Sequence, residues 1–132
     1  MANILLIEDD DLLRNMLRLT LGHFGHTVIE ARNGKEGLRL FAETNPDLLI
    51  TDLVMPEKEG FEILMELRKH QPPVKIIVIS GGLRGEKATF LEIAKRLGAA
   101  KVLAKPFPNE ALIAAIDELL ADDTPPAPVA SP

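Results

Sequence analysis

The 132-residue sequence contains no cysteine, no tryptophan and no tyrosine. Without thiols it can form neither a disulfide framework nor a thiolate nucleophile nor a zinc–thiolate site, and a reducing setting such as the cytoplasm is expected. No apolar run approaches the roughly 18–20 residues that cross a bilayer. Cations are in deficit, 15 Lys and Arg against 20 Asp and Glu, for a net charge of -5. Binding driven by the nucleic-acid backbone needs clustered Lys and Arg, and base stacking would fall to the five phenylalanines. Neither nucleic acid nor membrane is therefore an expected partner. The N-terminus, Met1-Ala2-Asn3, has no basic region and reaches Glu8 after one short apolar stretch, unlike a signal peptide.

With 46% hydrophobic and 27% charged residues, the composition suits one globular domain with one core. Short apolar runs alternate with stretches of helical period, the pattern of βα units closing a parallel sheet. The runs are Ile4 to Ile7, Thr27 to Ala31, Leu48 to Thr51, Lys75 to Ile79 and Lys101 to Ala104. In the first helix Leu13, Met16, Leu17, Thr20 and Leu21 share one face behind a cap at Asp10 or Asp11, and Gly22 and Gly25 end it. The second runs from about Gly34 to Glu43, with Leu38 and Phe41 inward, and stops before Pro46. The third turns Phe61, Leu64, Met65 and Arg68 inward, the fourth Phe90, Ile93, Ala94 and Leu97, and the fifth Leu112, Ile113, Ile116 and Leu120 behind an Asn109 cap. The folded domain is expected over 1–121. The Pro/Ala-rich stretch 122–132 cannot propagate a helix or join a ladder, and is expected to be a disordered tail.

Strands one, three and four are almost wholly apolar, as strands covered on both faces must be, whereas the other two carry Thr27, Glu30 and Lys101. The expected fold is therefore α/β, a doubly wound five-stranded parallel sheet of order 2-1-3-4-5, flavodoxin-like, with its ligand crevice between strands one and three. Parallel strands deliver their carboxyl ends to one edge. Glu8 and Asp9, Asp52, Ser80 and Lys105 all follow strands and so should meet there. Three carboxylates about 5 Å apart repel by roughly 3 kcal/mol per pair at an effective dielectric of 20, which calls for a cation or raised pKa values. One lysine does not balance three acids. Hard oxygen ligands suit Mg²⁺.

The pattern ILLIEDD, TDLVMP, VIS and AKPF, in order and at compatible spacing, resembles the receiver domain of two-component response regulators over about residues 3–121. The resemblance implies transfer of a phosphoryl group from a histidine kinase or a histidine phosphotransfer protein onto Asp52. It implies Mg²⁺ held by Asp9, Asp52 and the Val54 backbone carbonyl, with Glu8 acting mainly through a metal-bound water. Lys105 would meet a phosphoryl oxygen and Ser80 would hydrogen-bond the new phosphate. Lys105-Pro106 resembles the family's cis peptide, with Pro106 aiming the ammonium inward. A downstream protein partner would dock on the face of the fourth helix, last strand and last helix, where Lys87, Lys95, Arg96 and Lys101 lie.

Two departures from the family stand out. The position three residues before the lysine often carries Tyr or Phe and here is Val102, so the aromatic half of the usual switch is missing. The stretch Gly81 to Lys87 is glycine-rich and longer than usual, and is expected to carry more of the conformational change with the fourth helix. Val54 and Gly82 replace side chains that help place a hydrolytic water, so a long-lived phosphoaspartate is expected. Other polar residues read plainly. Asp10 and Asp11 suit helix caps, His23 and His26 have no partner acid for a metal site, and His70 suits a helix C-terminus. Met55-Pro56 and Gly60 fit an ordinary turn before a helix as well as a loop shaped around the acceptor. The glycines of 81–85 lack the lysine and hydroxyl of a P-loop. The alternatives are a receiver belonging to a larger regulator and a phosphoaspartyl hydrolase. The hydrolase would need a second acid where Val54 sits, and a flavin binder lacks both a phosphate loop and stacking rings.

Overall fold

The computed structural model describes residues 2–52, 59–67, 69, 74–80, 92, 95–96 and 98–121. Five strands, β1 (Asn3–Ile7), β2 (Thr27–Ala31), β3 (Leu48–Asp52), β4 (Lys75–Ser80) and β5 (Lys101–Ala104), form one sheet of order β2-β1-β3-β4-β5 with every pairing parallel. The expected order is therefore the observed one. Alternation along the central strands divides the core. Ile4, Leu6, Leu48, Ile50, Ile77 and Ile79 face one side, and Leu5, Ile7, Leu49, Ile76 and Val78 face the other. The first face is covered by α1 (Asp11–His23) and the C-terminal helix (Asn109–Ala121), the second by α2 (Gly34–Thr44) and α3 (Glu59–Leu67). The Lys75 ammonium donates to the Leu119 carbonyl at 2.6 Å, so a cation ties the last turn of the C-terminal helix to β4.

Helix boundaries follow local chemistry. The Asp10 carboxylate accepts from the Leu12 and Leu13 N–H groups at 3.0 and 3.2 Å, which makes Asp10 the N-cap and leaves Asp11 in the first turn. Asn33 caps α2 by accepting from the Glu36 N–H at 2.8 Å, while the Glu36 carboxylate accepts from the Arg32 N–H at 3.0 Å. Asn45 ends α2 in the left-handed region, φ 48°, one residue before Pro46. Asn109 is the first residue of its helix rather than the cap before it, because the Ala111 N–H already bonds the Pro108 carbonyl at 3.0 Å.

Two inward faces differ from the sequence expectation. In α1 the buried row is Leu17 and Leu21 with Leu13 partly buried, and Met16 is 54% exposed. Arg14 lies on the sheet side of the helix, reaching the Glu8 carbonyl and Glu30, and Met16, two residues on, faces outward. In α3 the buried residues are Ile63, Leu64 and Leu67, and Met65 is 50% exposed. Here apolar residues surround much of the helix, so periodicity alone left its rotation open. The Phe61 side chain, Arg68 and His70 lie outside what is described, as do the four apolar residues expected to face inward from the fourth helix and the tail from 122. Within that stretch Glu92, Lys95 and Arg96 are helical and exposed.

Gly37 marks the closest approach of α2 to the sheet. A Cβ there would overlap Ile7, whose Cγ1 would lie 2.8 Å away and whose side chain is fully buried. By contrast, a Cβ at Gly22 in α1 meets nothing within 4 Å. Gly37→Ala gains about 1 kcal/mol of helix propensity but incurs roughly 1–3 kcal/mol of overpacking. Urea unfolding should therefore show a net loss of about 1 kcal/mol for Gly37→Ala and a gain of about 0.5 kcal/mol for Gly22→Ala. Equal shifts in the two variants would contradict the close packing.

Candidate functional site

The carboxyl ends of the strands bring acids to one edge, as βα topology requires. β1 ends at Ile7, and the Glu8 N–H extends the ladder by donating to the Ala31 carbonyl at 3.0 Å. Asp52 is the last residue of β3, in register with Ile79, one residue further along the strand than the apolar run alone indicated. Carboxylate oxygens of Glu8, Asp9 and Asp52 all lie within 4.8 Å of one another. Glu8 is 0% exposed and Asp52 is also buried, whereas Asp9 is open to solvent. From the end of β5, the Lys105 ammonium reaches Asp52 Oδ2 at 2.7 Å and Glu8 Oε1 at 3.1 Å. The other Glu8 oxygen accepts from the Asp10 N–H at 3.1 Å. The Lys105–Pro106 peptide is cis.

Three acids and one lysine leave a local excess of negative charge. Burial pushes the Glu8 carboxyl up to about 7, reinforced by the Asp52 charge and opposed by the Asp10 N–H and by Lys105. At Lys105 burial alone would favour the neutral amine. The hydrogen bond and charge of Asp52, with those of Glu8, outweigh it and hold the ammonium above its ordinary value. The lysine therefore stays charged while Glu8 takes up the imbalance. Oxygen-only donors, one exposed and two buried, fit a hard divalent cation such as Mg²⁺, which keeps waters and accepts few carboxylates.

The sign of the Glu8 effect on stability is fixed. Its carboxyl holds a proton more tightly folded than unfolded, so it costs nothing below about pH 4.5 and becomes a growing penalty as pH rises to 7. At one pKa unit per 1.36 kcal/mol the plateau is about 3 kcal/mol. Glu8→Gln, neutral at every pH, should match wild type near pH 4.5 and exceed it by that amount above pH 7 in Mg²⁺-free urea titrations. A pH-independent difference would show that Glu8 is not the titrating group.

Of the remaining expected site residues, Ser80 closes β4 in register with Ala104. Val102 is partly buried and packs against the α2/α3 side of the core. Val54, Met55, Pro56 and the stretch from Gly81 to Lys87 lie outside the described residues. His26 Nδ1 accepts from the Ala2 N–H at 3.2 Å, a structural bond, and His23 lies edge-on to Phe24. On the expected output face Lys101 is paired with Glu118 at 2.9 Å. One residue of the site's surroundings was not anticipated. Arg14 has a side chain only 12% exposed, and it reaches the backbone of Glu8.

Comparison with known proteins agrees with this architecture. The family model for the response regulator receiver domain matches residues 4–117. The chain is 32% identical over 117 residues to the chemotaxis protein CheY of Halobacterium salinarum, covering 89% of this chain and 95% of that protein. It is 35% identical over 126 residues to the DNA-binding transcriptional regulator NtrC of Azospirillum brasilense, covering 96% of this chain but 26% of that protein. The chain thus spans about a quarter of the length of the first such regulators it matches. Among solved structures, a response regulator receiver domain protein from Clostridium thermocellum superimposes with a TM-score of 0.83 at 32% identity, covering 92% of this chain and 95% of that one.

Proposed function

Because the chain belongs to the family of response regulator receiver domains, we propose that Asp52 is its phosphoacceptor and that residues 1–121 act as a phosphorylation-driven signalling switch. One observation carries the assignment. Of the two buried acids that meet the Lys105 ammonium at the ends of central strands, Asp52 makes the shorter contact, 2.7 Å against 3.1 Å for Glu8, whose carboxyl is pushed up to about 7 by burial. In the proposed reaction an Asp52 oxygen forms a bond to phosphorus as the phosphorus–nitrogen bond of a kinase or phosphotransfer-protein phosphohistidine breaks, and the imidazole leaves. Lys105 moves from its carboxylate partners toward a phosphoryl oxygen, where its charge counts most in the transition state. Ser80, closing the neighbouring strand, supplies a hydroxyl for the product phosphate. Glu8, Asp9, Asp52 and the Val54 carbonyl are proposed to hold Mg²⁺, whose positive charge would offset that of the incoming phosphoryl group. Incubation with a small phosphodonor and Mg²⁺, read by intact mass with Asp52→Asn as control, tests the assignment.

Receiver domains are signalling switches rather than enzymes, and phosphorylation shifts a population between conformers. Without an aromatic side chain at Val102, we assign the shift to Ser80 and to the segment that follows it. The proposed partner face is that of the fourth helix, β5 and the C-terminal helix, where Lys95 and Arg96 are exposed. The 26% coverage of NtrC favours a second reading, a receiver acting within a larger regulator, and the 95% coverage of CheY favours a receiver acting alone. No nucleic-acid contact is assigned to this acidic domain. With Val54 and Gly82 unable to place a water, the phosphoaspartate should be long-lived, and Val54→Asn should change its decay rate severalfold. An unchanged decay, followed by loss of the phosphoryl mass with time, would count against that role.

A further inference from the structure

Arg14 is nearly buried although it sits in the first turns of a surface helix, and its three contacts explain why. Nη1 donates to the Glu8 carbonyl at 2.9 Å, Nη2 pairs with Asp11 Oδ1 at 2.5 Å and Nε lies 3.5 Å from Glu30 Oε1. These acceptors belong to three elements: the end of β1, the first turn of α1, and β2. The β1–β2 ladder finishes with the Ile7–Ala31 pair and the Glu8 N–H. Past that point β2 offers the Glu8 carbonyl no donor, and the Arg14 guanidinium takes that place. The carbonyl belongs to the peptide that joins Glu8 to Asp9, so its orientation sets where both carboxylates emerge.

From this geometry we infer that Arg14 is a positioning residue for the metal site, holding the Glu8–Asp9 peptide so that its two carboxylates converge with Asp52. The inference rests on the Mg²⁺ reading of the acidic cluster. Arg14 touches neither Asp9 nor Asp52 through any contact described above, and its charge is met by Asp11 and Glu30, so it acts through the backbone. Outer partners that orient ligands typically change metal affinity by about 10- to 100-fold when removed. Charge alone predicts the opposite sign, because deleting a cation near a cation site strengthens binding.

Calorimetric titration of Mg²⁺ into the full chain without phosphodonor separates these effects. Wild type should bind saturably. A wild-type chain that does not would overturn the Mg²⁺ reading, and the role of Arg14 with it. Given wild-type binding, Arg14→Met, which keeps the buried stem, should bind about tenfold more weakly. Arg14→Lys, which keeps the charge and one donor, should fall between them at about threefold. Affinity in Arg14→Met equal to or above wild type overturns the proposal. If that variant does not fold, Arg14→Lys decides, since unchanged affinity there overturns it equally. The phosphorylation rate of the variants should recover to wild type at saturating Mg²⁺, and a deficit that persists at saturation rejects positioning through the metal ligands.

Discussion

Asp52→Asn is expected to reduce phosphoryl incorporation from a small phosphodonor to background while leaving the fold intact. The substitution preserves the shape of the side chain but replaces the attacking carboxylate oxygen with an amide, which is too poor a nucleophile to displace a leaving group from phosphorus. Asp9 and Glu8 do not substitute for it. Asp9 is exposed rather than enclosed at the strand end, and Glu8 is buried with one oxygen on Lys105 and the other on the Asp10 N–H. Intact mass should show one phosphoryl adduct on wild type, cleaved by hydroxylamine as an acyl phosphate is, and none on the variant. Circular dichroism should be unchanged, because the three-acid cluster becomes less repulsive when one acid is neutralised. An adduct of equal yield on Asp52→Asn would move the acceptor elsewhere. Rapid release of phosphate from wild type with no accumulated adduct would favour the hydrolase reading.

The sheet was readable because three of its strands carry almost no polar residue, and the common doubly wound order 2-1-3-4-5 places those three at the centre with the two more polar strands at the edges. The cluster of acids was readable for a related reason, since parallel strands leave the next residue of each at one edge whatever lies between them. Helix rotation was less so. Met16 and Met65 fall beside rows that are buried, and a helix with apolar residues on more than one row does not announce which row faces in. Arg14 was invisible to pattern reading, because a charged residue next to an apolar row reads as solvated surface. The carbonyl of Glu8, past the point where β2 stops pairing, together with the carboxylates of Asp11 and Glu30, gives the guanidinium a reason to be inside. Val102 stands where the family often has a ring, and this aliphatic side chain is partly buried against the α2/α3 core.

Lys105→Met should separate stability from reactivity. In the absence of Mg²⁺ the lysine is the cation that bridges two buried carboxylates, at 2.7 Å from Asp52 and 3.1 Å from Glu8. Removing one partner of a buried pair leaves the other charge uncompensated, a loss of about 3–5 kcal/mol. Glu8 moderates that loss. With its pKa raised to about 7, it already carries a proton near pH 5, where only the pairing with Asp52 is lost, and it is ionised at pH 8, where the pairings with both acids are lost. The destabilisation should therefore be smaller near pH 5 and approach about 3 kcal/mol at pH 8. Urea unfolding at the two pH values measures the difference, and a loss independent of pH would show that Glu8 does not absorb the charge. Added Mg²⁺ should restore much of the stability at pH 8, since the carboxylates that lost their lysine bind a cation more tightly. The phosphorylation rate should not recover with it. Lys105 is needed at the phosphoryl oxygen rather than at the acids during transfer, and removing one such stabilising donor costs on the order of a hundredfold in rate. A variant rescued by Mg²⁺ in both stability and rate would assign Lys105 to charge balance alone.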